Sequence, residues 1–334
     1  MKTIRINFKY FCAGFDPEDN FFTNLLRRKY DVVISENPDY MLYSVYPEKS
    51  IKNVAGIGRF IKKISPELYM FMRKVFSKSM SLFTKNKKLK GNFIKIFYGA
   101  EHVRPNMSEC DWAFGSHFEE DIDSPRYMRL LPYLPNDYLL ENMGNPPLKK
   151  RIDIKKIKKE KTKFCNFIYS QDVPARNGFF KILSKYKRID SPGRCMNNMP
   201  PLMSNDPNKS RLEKNWFRIK LDFIRPYKFT IAFENASKPG WVTEKLTHPM
   251  LVNSIPIYVG DKFISRDFNT KSFISYHDFN DMDKFIQFII KVDKDDALWK
   301  KMLMEPWYAK DIKGRTYSEE RVINRLKEIF GPIK

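Results

Sequence analysis

Hydrophobic and polar positions follow a repeating plan along this chain, and its clearest instance runs from Tyr227 to Gly260. Tyr227 to Phe233 (YKFTIAF) is rich in aromatic and β-branched residues and predicts a strand. Glu234 to Gly240 carries Asn, Ser, Pro and Gly, which predicts a loop. Thr243 is a helix-capping residue and Glu244 places an acid in the first turn, where the helix dipole favours one; this helix should run to about Asn253. Ile255 to Val259 is a short apolar run closed by Gly260, the pattern of a buried parallel strand.

The same plan opens the chain. Thr3 to Phe11 reads as a strand, Phe21, Leu25 and Leu26 have helical spacing, and Val32 to Ile34 and Tyr40 to Tyr46 read as further strands. Phe93 to Tyr98 and Lys163 to Ser170 add two more. A helix from Ala175 to Tyr186 follows the latter, with Pro174 at its first position. The tail predicts helices near Asp283 to Val292, Asp295 to Met304 and Ser318 to Phe330. Strand alternating with helix predicts parallel α/β sheets, and 334 residues suggest two domains. Asn145 to Lys163 holds Pro146-Pro147 and then KKRIDIKKIKKEKTK, read as a solvated charged linker; the expected domains are 1–150 and 151–334.

Residues 51–90 break the plan. Between Arg59 and Lys90 there are ten Lys or Arg and one acid, Glu67. Ser65-Pro66-Glu67 is a helix start, after which Leu68, Phe71, Met72, Val75, Leu82 and Phe83 share one face and Arg73 and Lys74 the other. Such a helix either lies on an anionic membrane or packs as an insertion on the first domain.

Charge and composition narrow the classes. Hydrophobic residues make up 42% of the chain and aromatic residues 15%, enough for sizeable cores. The net charge of +22 implies an anionic partner: nucleic acid, a membrane surface or a charged substrate. No RRM signature, zinc finger or helix-turn-helix is legible, and the aromatic residues are spread as core residues, so nucleic acid is not expected. Cys12, Cys110, Cys165 and Cys195 form no CxxC pair and the histidines no HxxH pair, so no metal is expected and reduced thiols in a cytosol are the default. The charged start lacks a signal peptide's apolar region, and no run approaches the ~20 apolar residues of a membrane span. The expected location is cytoplasmic, with peripheral attachment to the inner membrane as a further option.

Candidate chemistry gathers at two successive strand-to-helix turns, where α/β proteins bind phosphorylated ligands. One carries Glu234, Asn235, Glu244 and Lys245; the other puts Arg176 in a helix's first turn beside free backbone N–H groups. Solvated turn charges would give the same pattern. Glu101 stands just past the strand ending at Tyr98, on the edge where such sites form. Asp121-Ile122-Asp123 and Asp281-Met282-Asp283 match the DxD metal-diphosphate pattern but read as a turn and a helix start. The absence of GxxxxGK[ST] and GxGxxG argues against a kinase or a dehydrogenase.

The ordered series FEN (233–235), GWVTEK (240–245), IPIYVG (255–260) and SFISYHDF (272–279) resembles the α1,3/4-fucosyltransferase family. GFDPEDNFF, FYGAEHVRPN, DWAFGSHF, RYMRLLPYL and the PARN of Pro174 to Asn177 extend the resemblance over most of the chain. It implies a GT-B-like fold, two Rossmann-like domains facing a cleft, with the nucleotide held mainly by the C-terminal one. It implies inverting transfer of L-fucose from GDP-fucose, without a cofactor, to the GlcNAc or Glc hydroxyl of a glycan acceptor such as N-acetyllactosamine. The linkage would be α1,3, or α1,4 as the alternative. By the same resemblance Glu101 is the general base, Arg176 and Lys245 neutralise the diphosphate, Glu244 meets ribose hydroxyls or the charged sugar, and Asn235 and Trp241 shape the donor pocket. Trp241 stands where the family usually carries Tyr. The competing readings are a glycosyltransferase with another nucleotide-sugar donor and a basic nucleic-acid-binding protein.

Overall fold

Short β-branched and aromatic runs assemble, in this computed structural model, into two parallel sheets. The structure describes residues 1–12, 14–46, 89, 91–131, 153–202, 216–279, 281–310 and 319–332. The helix expected from Ser65 to Phe83 and the segment 145–152 lie outside them. The chain divides into two compact units: Met1–Gly115 with Glu119–Met128 and Ile323–Lys334, and Ser116–Phe118 with Arg129–Val322.

The first sheet contains β1 (Thr3–Lys9), β2 (Asp31–Ile34), β3 (Tyr40–Tyr43), β4 (Ile94–Tyr98), β5 (Trp112–Gly115) and β6 (Tyr127–Arg129), in the order β2-β1-β3-β4-β5-β6. Helix α1 (Phe21–Arg27) starts where Asn20 Oδ1 accepts from the backbone N–H of Phe22 and Thr23, and it buries Phe21, Phe22, Leu25 and Leu26. The first DxD lies partly in the short α2 (Glu119–Ile122).

Within the second unit, part of the segment expected as a linker is helical. Residues Ile154–Glu160 form a helix, α3, capped by Asp153, whose carboxylate accepts from Lys156 N–H. Its charge pointed to a linker; burial of Ile157 in the core, with Ile154 partly buried against it, anchors the helix. The sheet follows as β7 (Lys163–Asn166), β8 (Ile189–Asp190), β9 (Tyr227–Phe233), β10 (Ile255–Val259) and β11 (Ile274–Ser275), ordered β11-β10-β9-β7-β8. Between them run α4 (Pro174–Leu183), α5 (Trp216–Ile224) and α6 (Glu244–Leu251); α7 (Met282–Lys294) and α8 (Asp296–Met304) come after. Phe167, Phe179, Phe229, Ile257, Phe285, Ile289 and Trp299 are buried in one core. Asp281 caps α7 by accepting from Lys284 N–H, which settles the second DxD as a helix start. Helix α6 ends at Leu251, and just beyond its cap Asn253 takes a left-handed φ of 56° with its N–H reaching Met250 O.

The last helix, α9 (Glu319–Phe330), ends in the first unit, although sequence order had grouped it with the second domain. Lys2 Nζ donates to Phe330 O at 2.7 Å, Tyr30 OH donates to Gly331 O at 2.7 Å, and the rings of Phe330 and Tyr40 lie 4.4 Å apart. Among the described residues no helix is long and apolar enough to cross a membrane.

Candidate functional site

In the second sheet the chain leaves β7 towards β8 on one side and returns to β9 on the other, so the carboxyl ends of β7 and β9 form a topological switch point. The two polar turns singled out in the sequence both lie there. The turn after β9 turns on Glu234, a buried carboxylate. Thr243 N–H donates to its Oε1 at 2.8 Å, the Thr243 hydroxyl lies within 2.9 Å of both oxygens, and Lys245 Nζ stands 3.3 Å from Oε2. Burial pushes the Glu234 carboxyl up, while Lys245 and Thr243 pull the other way. Burial would strip Lys245 of its proton, but Glu234 and Glu244 more than reverse this and keep it a cation. Thr243 therefore caps α6 and also fixes the carboxylate that holds Lys245.

Arg176 enters from the turn after β7. Its side chain is buried, stacked 3.7 Å above the Tyr169 ring, and its Nη2 donates to Gln171 O at 2.7 Å. Nη1 reaches Asn235 Oδ1 at 3.3 Å, which joins the two turns. The buried Nε has no hydrogen-bond partner, and burial lowers the pKa of a guanidinium that nonetheless stays charged. A cation fixed by stacking, with one donor unused, is suited to an incoming anion. Asn177 of the PARN sequence works elsewhere: its Nδ2 donates to Asp172 and its Oδ1 accepts from Cys195 Sγ.

Glu244 and a residue the sequence reading missed form a second pair. Lys220, on α5, places Nζ 3.9 Å from Glu244 Oε1, with side chains 14% and 28% exposed. Burial works against the Glu244 charge, yet Lys245 and Lys220 hold its pKa at about 2. Burial lowers the pKa of Lys220 and, more strongly, that of His248, which is neutral and packs edge-on to Phe217 at 4.8 Å. Lys220 falls between Trp216 and Ile224 at helical spacing, so a lysine interrupting an apolar stripe was the available signal.

Trp241 is buried, and its loop is fastened at Gly240. Gly240 N–H donates to Asp261 Oδ2 at 2.8 Å, and Gly240 O accepts from Arg129 Nη2 at 3.2 Å. Its φ of +76° and a Cβ that would meet Ser116 O at 2.5 Å make glycine obligatory. Arg129 is itself locked by a bidentate pair with Asp267 at 2.8 and 2.7 Å.

Arg176, Asn235, Glu244 and Lys245 are thus gathered at one edge, with Trp241 in the loop between them. Glu101 belongs to the first unit, past the end of β4, where it is exposed and accepts from Tyr46 OH at 2.9 Å. Burial first, then the Glu101 charge, raises the Tyr46 pKa, so this phenol remains a donor at neutral pH. Among the described residues no cluster of three or more His, Cys, Asp or Glu could hold a metal.

Comparison with known proteins gives two matching family models. Glycosyltransferase family 10 (fucosyltransferase) C-term matches residues 158–323, and the alpha-(1,3)-fucosyltransferase FucT N-terminal domain matches 6–71. The alpha-(1,3)-fucosyltransferase FucT of Helicobacter pylori is 28% identical over 232 residues, which is 64% of this chain and 47% of that one. A protein of Acanthamoeba polyphaga mimivirus named for a fucosyltransferase is 34% identical over 172 residues, 52% of this chain and 28% of that one. This chain therefore spans less than half the length of either relative. Crystal structures of an alpha1,3-fucosyltransferase, one with GDP-fucose, superpose on all of this chain and 91–92% of theirs at a TM-score of 0.68, with 22% and 20% identity. That likeness establishes the fold, the GT-B-like class expected from the sequence.

Proposed function

Because the chain belongs to glycosyltransferase family 10, the fucosyltransferases, we propose that it transfers L-fucose from GDP-fucose to a glycan hydroxyl with inversion at the anomeric carbon. The observation that carries this is the pair of cations, Arg176 and Lys245, built into the switch point of the second sheet. As the acceptor oxygen bonds to the fucose anomeric carbon, the carbon–oxygen bond to GDP breaks and its electron pair leaves with the diphosphate. The proton of the acceptor hydroxyl passes to Glu101, which Tyr46 orients. Arg176 and Lys245 stabilise the growing diphosphate charge, the part a divalent cation plays in other transferases. Glu244 faces the ribose or the positively charged sugar, and Asn235 and Trp241 shape the donor pocket.

The acceptor in this reading is N-acetyllactosamine or its isomer, joined α1,3 or α1,4. The deciding experiment incubates the protein with GDP-fucose and each acceptor, followed by linkage analysis. Transfer from a different nucleotide sugar alone would favour the competing donor. None of the four cysteines is in a disulfide, which fits a reducing, cytoplasmic setting. For residues 51–90 an anionic membrane surface competes with packing as an insertion on the first domain; sedimentation with liposomes at low and high salt separates the two.

Two results are expected at the donor side. Arg176→Ala and Lys245→Ala should each weaken GDP binding by about 1.5–3 kcal/mol, the worth of a charge-assisted hydrogen bond, and guanosine binding far less. Calorimetric titration of both ligands checks this, and equal losses would place the two cations away from the diphosphate. Lys220→Met should move the acid limb of the kcat/KM profile to higher pH, with Lys220→Arg behaving as wild type. The sign follows from Glu244: its pKa is depressed from 4.5 to about 2, so its charge, and the stability that charge contributes, is present above about 4.5 and lost as pH falls towards 2. Without Lys220 that loss begins earlier. An unchanged acid limb in Lys220→Met would show that Lys245 alone keeps Glu244 ionised.

A further inference from the structure

The amino-terminal edge of the second sheet, opposite the switch point, carries an open cavity of about 550 Å³ that the proposed reaction does not use. Its size falls within the roughly 300–1,000 Å³ of small-molecule sites. It is lined by Lys163, Lys187, Arg188 and Asp190 on its polar side and by Phe164, Met199 and Tyr227 on its apolar side. The charges are layered. The acids lie beneath: the side chains of Asp190 and Asp293 are 12% and 2% exposed. The cations lie outside, with Lys163, Lys187 and Arg188 side chains 47%, 49% and 70% exposed.

Each acid holds two cations and a phenol. Asp190 accepts from Lys163 at 3.1 Å, Arg188 at 2.8 Å and Tyr227 OH at 2.7 Å. Asp293 accepts from Lys187, pairs with Lys228 at 3.0 Å, and takes Tyr186 OH at 2.9 Å. Four cations on two carboxylates leave two positive charges in excess, and the buried acids preorganise the cations outward. Asp190 and Asp293 remain ionised: burial opposes their charge, but Arg188 and Lys187 respectively, with their other partners, keep both pKa values below the usual carboxylate range. The loop wall is also fixed, since Asn198 Nδ2 donates to Ile189 O at 2.8 Å and Asn198 Oδ1 accepts from Ser191 N–H at 2.8 Å. Lys163 lies 5.2 Å from the Tyr227 ring centre and Lys187 lies 5.7 Å from that of Phe164, so ring faces and cations border the same space.

We propose that this groove is a second anion site, distinct from the donor edge, which takes a phosphomonoester carried on an apolar body. Lys163, Lys187 and Arg188 meet the phosphate, and Phe164, Met199 and Tyr227 cover the body. The phosphate can come from a soluble ester or from a lipid headgroup, and the test separates the two sources.

With GDP present at saturation, binding of phenyl phosphate is measured by calorimetry, and binding of phosphatidic acid vesicles by sedimentation. The expected result is binding of at least one probe that falls tenfold or more in Arg188→Glu. That side chain is largely exposed, so its replacement should leave the fold intact. Lys163→Met provides a second, charge-removing variant, and far-UV circular dichroism with GDP affinity reports the fold of both. Binding of vesicles alone identifies the lipid source, and binding of phenyl phosphate the soluble one. Failure of both probes, or binding that neither variant weakens, overturns the proposal. If GDP itself does not bind, the donor reading fails while the two probes still report on this groove.

Discussion

Glu101→Gln is expected to lower fucosyl transfer by roughly 10²–10⁴-fold, the usual worth of a positioned general base, while GDP binding stays within a few-fold. The amide keeps the shape and can still meet the Tyr46 phenol, which lies 2.9 Å from the carboxylate, but it cannot take a proton. The acceptor proton becomes acidic only as its oxygen bonds to carbon, so a carboxylate is a sufficient base. Glu101 belongs to the first unit, and Arg176 and Lys245, proposed to meet the diphosphate, belong to the second, which is why GDP binding should be spared. Initial rates with saturating GDP-fucose decide it. A variant that keeps more than about a tenth of the wild-type rate, a loss below the range for general-base catalysis, removes Glu101 from that role.

The second large effect is on stability. Arg129→Met should destabilise the second unit by about 3–5 kcal/mol, because it leaves the buried Asp267 carboxyl without its guanidinium partner. The two side chains are 4% and 1% exposed and share two hydrogen bonds. Ser116 O and Gly240 O lose a donor in the same step. Because Gly240 leads directly into Trp241, GDP affinity should fall together with the unfolding midpoint in urea. The double variant Arg129→Met with Asp267→Leu should recover much of the stability, since a buried ion pair replaced by apolar groups is often neutral. It should not recover the GDP affinity, because the anchor on Gly240 remains absent. A single variant that costs less than about 1 kcal/mol, the worth of an exposed ion pair, would mean that water reaches Asp267.

Local order in this protein was written in the sequence. Tyr227–Phe233, the Thr243 cap and Ile255–Val259 emerged as read, because alternation, capping and apolar runs act over a few residues and need no partner from elsewhere. The polar turns holding Arg176 and Glu234 to Lys245 were legible for the same reason: each follows a strand and opens a helix. Position past the strand ending at Tyr98 marked Glu101 as a candidate, and only the family resemblance gave it the role of base. What the tertiary structure decided is pairing over distance. Lys220 with Glu244, Arg129 with Asp267, and Tyr46 with Glu101 join residues 24, 138 and 55 positions apart. Sequence periodicity cannot register such pairs, because burial of a charge is settled only when a partner from another element removes the desolvation cost. The linker at 154–160 became a helix through one buried isoleucine, and the last helix joined the first unit through Phe330 and Tyr40. A few apolar side chains outweighed the pattern of charge in the first case and the order of the chain in the second, since helices take most of their stability from what they pack against.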